Sequence, residues 1–546
     1  MNKVKDLLGN NTGKLFKLLL IITIAFFLIE TVYYIIFLNT WFDEGEFTYK
    51  AWLTSDNLAH PFEDFRNKYP SFSFYIQVLL QKTFGPTILG ARILSVLFLI
   101  GSLILLYKIC KKIGNKWIGL LAISLLIFHP YLTGYYSSAK NYSWVIFFSL
   151  LSIWFIDAKI SDKKKIIFSS ISMTLSVITR YQIIPALILL WIFIYFKWRS
   201  WKRLFVSILI FLIIFFASLM SYFFSDAKYA LIWFLMMLGP LTKLIPIDYF
   251  KIFNENSGGS FLSQIFNSDH FKFLIKIFIK FFHLWVIFFT AIFSLFIMDK
   301  EKIKRFFSQN SILVFNFSLT LILFFSYFII PNENASLAHS FYLAPFLIIS
   351  VAGSINLIYK HLEEKKIWES IKLPVSIFLI IIVLFSTIST GLSGPDIIFF
   401  NHFNYKDTDL NRVKQGGEYL KSLTSPEDKM LVIGMPHHAL MAERYEFPPL
   451  INTDIIYYDM DDSEILKRYK FYNFDILLEW LKNEATVVVF QKDDLINSTA
   501  FQDGEGRIKT FEKILNEKYE FAGSIENVYP RKYTVADGVM EIYRKK

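Results

Sequence analysis

Long apolar runs separated by short basic connectors set the pattern of the first 390 residues. The runs fall at about 15–38, 87–109, 117–134, 142–157, 166–180, 181–196, 204–224, 271–297, 311–330, 341–359 and 371–391. Many approach 20 residues with almost no charge, the length an α-helix needs to cross a bilayer core. A soluble chain would show alternating polar faces instead. The pattern predicts a multi-pass α-helical membrane protein with about 11 transmembrane helices. No small-residue cleavage site follows the first run, which reads as a retained anchor. Between the runs, residues 39–86 form a first outer loop. It ends in an amphipathic stretch, Phe72 to Phe84, suited to the membrane interface. Residues 225–270, rich in Trp, Met and Phe, form a second.

From Ser393 the pattern changes. Helical periods (Arg412–Leu423, Phe474–Lys482, Arg507–Lys518) alternate with β-rich runs (Met430–Ile433, Thr486–Phe490), punctuated by Gly, Pro and Asp. The expected organisation is a transmembrane domain over 1–392 and a soluble α/β domain over 393–546, able to fold alone. No internal repeat is visible, which argues against a transporter built from duplicated halves.

Charge settles orientation. Lys+Arg exceed Asp+Glu by 57 to 46, a net +11, and mean hydropathy is +0.43. The cations gather on alternate connectors: Lys3, Lys5 and Lys14; Lys108, Lys111, Lys112 and Lys116; Lys159 and Lys163 to Lys165; Lys197, Arg199, Lys202 and Arg203; Lys300 to Arg305; Lys360 to Lys372. Short cytoplasmic loops hold such residues. The N-terminus is therefore expected inside and, after an odd number of spans, residues 393–546 outside, in the plasma membrane. The positive charge marks topology and not a nucleic-acid partner. The single cysteine, Cys110, excludes an internal disulfide and a cysteine metal site.

Polar features concentrate on the outer side. Trp41-Phe42-Asp43-Glu44-Gly45-Glu46 follows the first run, placing three carboxylates at the water boundary of an apolar bundle. Desolvation there suits a general base, although acids also commonly end a span on the outer side. Arg180 stands between two apolar runs, a costly place for a cation unless it meets an anion or reaches the headgroups. Glu30 lies within the first run, about 12 Å below its outer end at ~1.5 Å per residue, either functional or a helix-to-helix hydrogen bond. His437-His438 reads poorly as a metal pair, because neighbours on a strand point to opposite faces.

Several segments together resemble the GT-C glycosyltransferases, specifically the protein O-mannosyltransferase and aminoarabinose lipid A transferase group. They are Trp41–Trp52, Lys68-Tyr69-Pro70, Phe84-Gly85-Pro86 with Ala91-Arg92-Ile93-Leu94-Ser95, His129-Pro130 with Tyr135 to Tyr142, and His339-Ser340-Phe341-Tyr342-Leu343-Ala344-Pro345. The resemblance implies transfer of a sugar from a polyprenyl-phosphate donor to a protein, lipid or glycan acceptor. Asp43 then matches the catalytic base, and Glu44 orients the acceptor or the base. Arg92, Lys140, Arg180, His339 and Tyr342 become candidates for the donor phosphate, with an ion pair to Asp43 or Glu44 as the alternative for Arg92. The aminoarabinose enzymes carry an acidic residue where this chain has Lys140-Asn141, which argues against that substrate. The motif names no certain cofactor and leaves open a divalent metal ion at Asp43 and Glu44. A surface-polysaccharide ligase or polymerase is the competing reading, and a lipid-linked sugar transporter the next.

Overall fold

The computed structural model describes residues 2–37, 42–57, 72–180, 183–223, 284–285, 288–289, 311–329, 342–364, 409–434, 436–445, 473–491, 505–526 and 539–546. The side chain of Asp43, all of His339, all of the 225–270 loop, most of the expected span at 271–297 and the whole expected span at 371–391 lie outside the described residues.

The chain opens with helix α1 (Asn2–Phe37), followed by a 14-residue helix α2 (Phe42–Ser55) in the first loop. Phe42, Asp43 and Glu44 form the first turn of α2. Glu46 and Lys50 pair one turn apart on it. The Ser55 hydroxyl donates to the Trp52 carbonyl (2.7 Å) and Asn57 turns left-handed (φ 57°), which ends the helix.

Helix α3 (Phe72–Phe84) coincides with the amphipathic stretch, exposing Tyr75, Leu79 and Phe84. Gly85, at φ +75°, makes the turn into α4 (Ile88–Ile113). The Gln81 amide clasps Thr87 at both backbone N–H (2.8 Å) and carbonyl (3.0 Å), tying α3 to the start of α4.

The run expected to span 117–134 is two helices, α5 (Lys116–Ile127) and α6 (Pro130–Ser137). Pro130 has no N–H to continue the first ladder and disfavours helical backbone at His129. Then come α7 (Tyr142–Ile156), α8 (Asp162–Thr179), α9 (Ile184–Trp198) and α10 (Trp201–Phe223). A buried serine seam joins three of them. Ser149 and Ser176 hydroxyls meet at 2.7 Å, Ser170 and Ser207 at 2.6 Å, and Ser152 donates to the Ser169 carbonyl at 2.8 Å. Small side chains of this kind let apolar helices approach closely. Helices α11 (Ser311–Ile329) and α12 (Ala344–Glu364) complete the described bundle.

Among the described residues three segments are long and apolar enough to cross a membrane: Gly13–Phe37, Ile88–Ile113 and Trp201–Ser218. Shorter apolar helices pack among them around one buried cluster running from Phe16 to Ala352.

Beyond residue 408 the described elements are α13 (Asp409–Leu423), β1 (Met430–Ile433), α14 (His437–Ala442) and α15 (Phe474–Asn483). They continue with β2 (Val487–Gln491), α16 (Glu505–Lys518), β3 (Tyr519–Glu526) and β4 (Val539–Lys545). The strands form one sheet in the order β1-β2-β4-β3, parallel between β1 and β2 and antiparallel elsewhere. The core of this part is not closed on itself. Val432, Val487, Ile542, Leu420 and Leu440 share a buried cluster with Tyr49, Trp52 and Leu53 of α2, Phe74 of α3 and Ile88 of α4. The expectation of a unit that folds alone therefore meets a core shared with the outer loop.

Candidate active site

The motif after the first span is held by a buried ion pair. Glu44 and Arg92 both have 0% exposure. The Arg92 guanidinium donates Nη2 to Glu44 Oε2 at 2.8 Å and Nε to Oε1 at 3.1 Å, a two-pronged, charge-assisted contact. Its Nη1 reaches the carbonyls of Ile35 (3.2 Å) and Tyr34 (3.5 Å) at the end of α1. The backbone N–H of Ala139 donates to Glu44 Oε1. One ion pair thus joins α2, the first long helix, the second long helix and the turn before α7.

These contacts bear on two expectations. Of the two readings of Arg92, the structure shows the ion pair, with its fork turned onto the Glu44 carboxylate. Both oxygens of Glu44 accept from Arg92 or Ala139, which anchors α2. Glu46 is part-buried beside Lys50.

The turn that Glu44 holds carries the second half of the site. Lys140 and Asn141 follow Ala139 directly, and the Ser95 hydroxyl donates to the Lys140 carbonyl (3.1 Å). Arg180, at the end of α8, donates Nε to Asn141 Oδ1 at 2.7 Å. The Asn141 amide in turn donates to Thr179 O (3.1 Å) and Ser73 Oγ (3.3 Å). The ring of Tyr142 gathers both cations, with Lys140 Nζ 5.5 Å and the Arg180 guanidinium carbon 5.6 Å from its centroid. Tyr342, fully buried, sets its own ring 5.5 Å from that of Tyr142.

Three of the five cationic or polar candidates (Lys140, Arg180 and Tyr342) therefore meet at one ring, and Arg92 does not join them. Asn141 and Tyr142 escaped selection as site residues. Their one signal was membership of the Lys140-Asn141-Tyr142 turn. Buried Glu30 faces the Tyr34 and Thr133 hydroxyls. Among the described residues no group of three His, Cys, Asp or Glu side chains could hold a metal ion. His437 and His438 open a short helix rather than occupying a strand, and both are buried. Burial, with His437 adjacent, pushes the His438 imidazole down to about 3, so it stays neutral near pH 7.

The described molecule is a helical bundle with membrane-length spans, an acidic helix after the first of them and a sheet-bearing unit packed on that helix. Residues 68–223 match the family model described as dolichyl-phosphate-mannose-protein mannosyltransferase. The structure of ArnT from Cupriavidus metallidurans in the apo state aligns with a TM-score of 0.53 at 10% identity, covering 98% of each chain. ArnT from the same organism bound to undecaprenyl phosphate aligns with a TM-score of 0.52 at 11% identity, covering 97% of this chain and 98% of that one. At such identities the shared property is the fold. No curated protein matches the sequence significantly. The resemblance to the GT-C glycosyltransferases stated from the sequence holds for that fold.

Proposed function

We propose that the protein transfers a sugar from a polyprenyl-phosphate donor to an acceptor hydroxyl at the outer face of the plasma membrane. One observation carries this reading. Glu44 fastens the acidic turn of α2 to the same 139–142 segment that gathers Lys140 and Arg180 around Tyr142. A base-bearing helix and a cationic cluster are thereby tied to one short turn.

The chemistry divides between them. Asp43 takes the proton of the acceptor hydroxyl as its oxygen forms a bond to the anomeric carbon. The bond from that carbon to the phosphate oxygen breaks, and the electron pair leaves with the lipid phosphate. Lys140 and Arg180 stabilise the charge developing on that phosphate, where preorganised cations act most strongly. Attack opposite the leaving group inverts the anomeric centre. Glu44 and Arg92 hold α2 in place and take no part in proton transfer.

Donor binding tests the division. Arg180→Ala is expected to weaken binding of a polyprenyl-phosphate sugar more than binding of the acceptor. Arg180→Lys restores it only in part, because a point charge does not reproduce a planar fork. Unchanged donor affinity in both variants, measured by titration of the purified protein, would place the phosphate elsewhere and leave Arg180 a headgroup anchor.

The orientation has its own check. A reporter active only in the cytoplasm, fused after Lys546, is expected to stay silent. Strong reporter activity would put the sheet-bearing unit inside and remove the outer-face assignment.

A further inference from the structure

The acidic helix is gripped from a second side, by a part of the chain nearly 400 residues away. Gly45 lies between Glu44 and Glu46, and a Cβ placed on it would run into three atoms of the His437 imidazole. One turn further along α2, the Tyr49 hydroxyl donates to the Arg444 carbonyl at 2.8 Å. Residues 45 and 49 share one face of the helix. That face meets α14 and the residues just after it, while Glu44 reaches Arg92.

The gripping element is itself fixed. Gly416 and Gly417 of α13 leave room for the His438 ring and for Met441, seating α14 closely on α13. The Arg444 guanidinium donates to the Thr424 carbonyl (2.7 Å), the Thr424 hydroxyl (3.0 Å) and the Lys421 carbonyl (3.2 Å). His437 is fully buried in this arrangement. A rigid ring thus rests on the one residue of the acidic turn that has no side chain, two positions from Asp43.

We propose that His437 is a positioning residue: its imidazole, seated on Gly45, sets the pose of α2 and so the placement of the Asp43 carboxylate. The inference rests on the transferase reading above for its catalytic consequence, but not for the contact itself. It makes the sheet-bearing unit a working part of the active site rather than an appendage.

The test is a size-exchange cycle in the full-length purified protein, read by hydrogen exchange of residues 42–55 and by transfer kinetics. Alanine is a better helix former than glycine, so Gly45→Ala alone should tighten α2 unless the new methyl meets His437. The expected result is faster exchange in α2 and a kcat lower by about 10²-fold, the usual cost of misplacing a reacting group by ~1 Å. KM for the donor changes little, because the cationic cluster is untouched. His437→Ala, which removes the support, behaves likewise. Gly45→Ala with His437→Ala, which exchanges the volume across the contact, recovers part of both readouts.

Unchanged α2 exchange in both single variants overturns the inference, as does strictly additive loss in the double variant. Faster exchange with undiminished kcat overturns it too. If His437→Ala does not survive purification, His437→Asn supplies a folded partner for the same cycle. Absence of transfer by the wild-type protein counts against the functional reading, and the exchange measurements then decide the positioning inference by themselves.

Discussion

Asp43→Asn lowers turnover by roughly 10²–10⁴-fold, the usual worth of a positioned general base, while thermal stability in detergent and donor affinity stay near wild type. Asparagine keeps the size of the side chain and can still accept a hydrogen bond, but it cannot take the acceptor's proton. Glu46→Gln serves as the contrast. Glu46 is engaged by Lys50 within the same helix, so its carboxylate already has a cation of its own. Its loss is expected to leave turnover within severalfold of wild type. A displacement with one base and no carboxylate nucleophile also forms no covalent glycosyl-enzyme. Product formation by purified variants, with melting curves alongside, checks the pair. Near-wild-type turnover in Asp43→Asn would remove the base assignment.

The second large effect concerns stability. Arg92→Ala leaves the Glu44 carboxylate buried without its fork of donors. Removing one partner of a buried pair costs about 3–5 kcal/mol, because the remaining charge is uncompensated. Adding Glu44→Gln to Arg92→Ala removes that charge and keeps an acceptor for the Ala139 N–H, so part of the stability returns. Turnover does not return, since the link from α2 to the ends of α1 and α4 is gone. Thermal unfolding in detergent reads the first effect and transfer the second. An Arg92→Ala protein as stable as wild type would mean that the pair does not hold the acidic helix.

What the sequence revealed follows the range of the interactions involved. Helix α3 was readable to the residue, because its apolar face and the Gly85-Pro86 end are local features. The strand at Met430–Ile433 and the helix ending at Leu423 were equally local. The break at His129-Pro130 was present in the sequence, but the apolar run across it read as one span. Strands β3 and β4 went unread because polar residues interrupt them, and Gly523 lies at the irregularity in their pairing. The site was half legible. A carboxylate motif and isolated cations stand out in an apolar chain, yet which cation meets which acid depends on contacts between distant residues. Glu44 and Arg92 are 48 residues apart, and Tyr49 and Arg444 are 395 apart. No local pattern distinguishes an arginine that anchors a helix from one that receives a phosphate. Gly45 illustrates the same limit: its lack of a side chain gains meaning only when His437 is brought onto it.

The most direct measurement incubates the purified full-length protein with radiolabelled polyprenyl-phosphate sugars and an acceptor extract from the same membranes, scoring labelled product together with free lipid phosphate. The expected result is transfer of label with one equivalent of lipid phosphate released per sugar moved, abolished by Asp43→Asn. Intact donor recovered in full across the range of sugars, or lipid phosphate released equally by wild type and Asp43→Asn, would contradict a transferase built on the acidic turn.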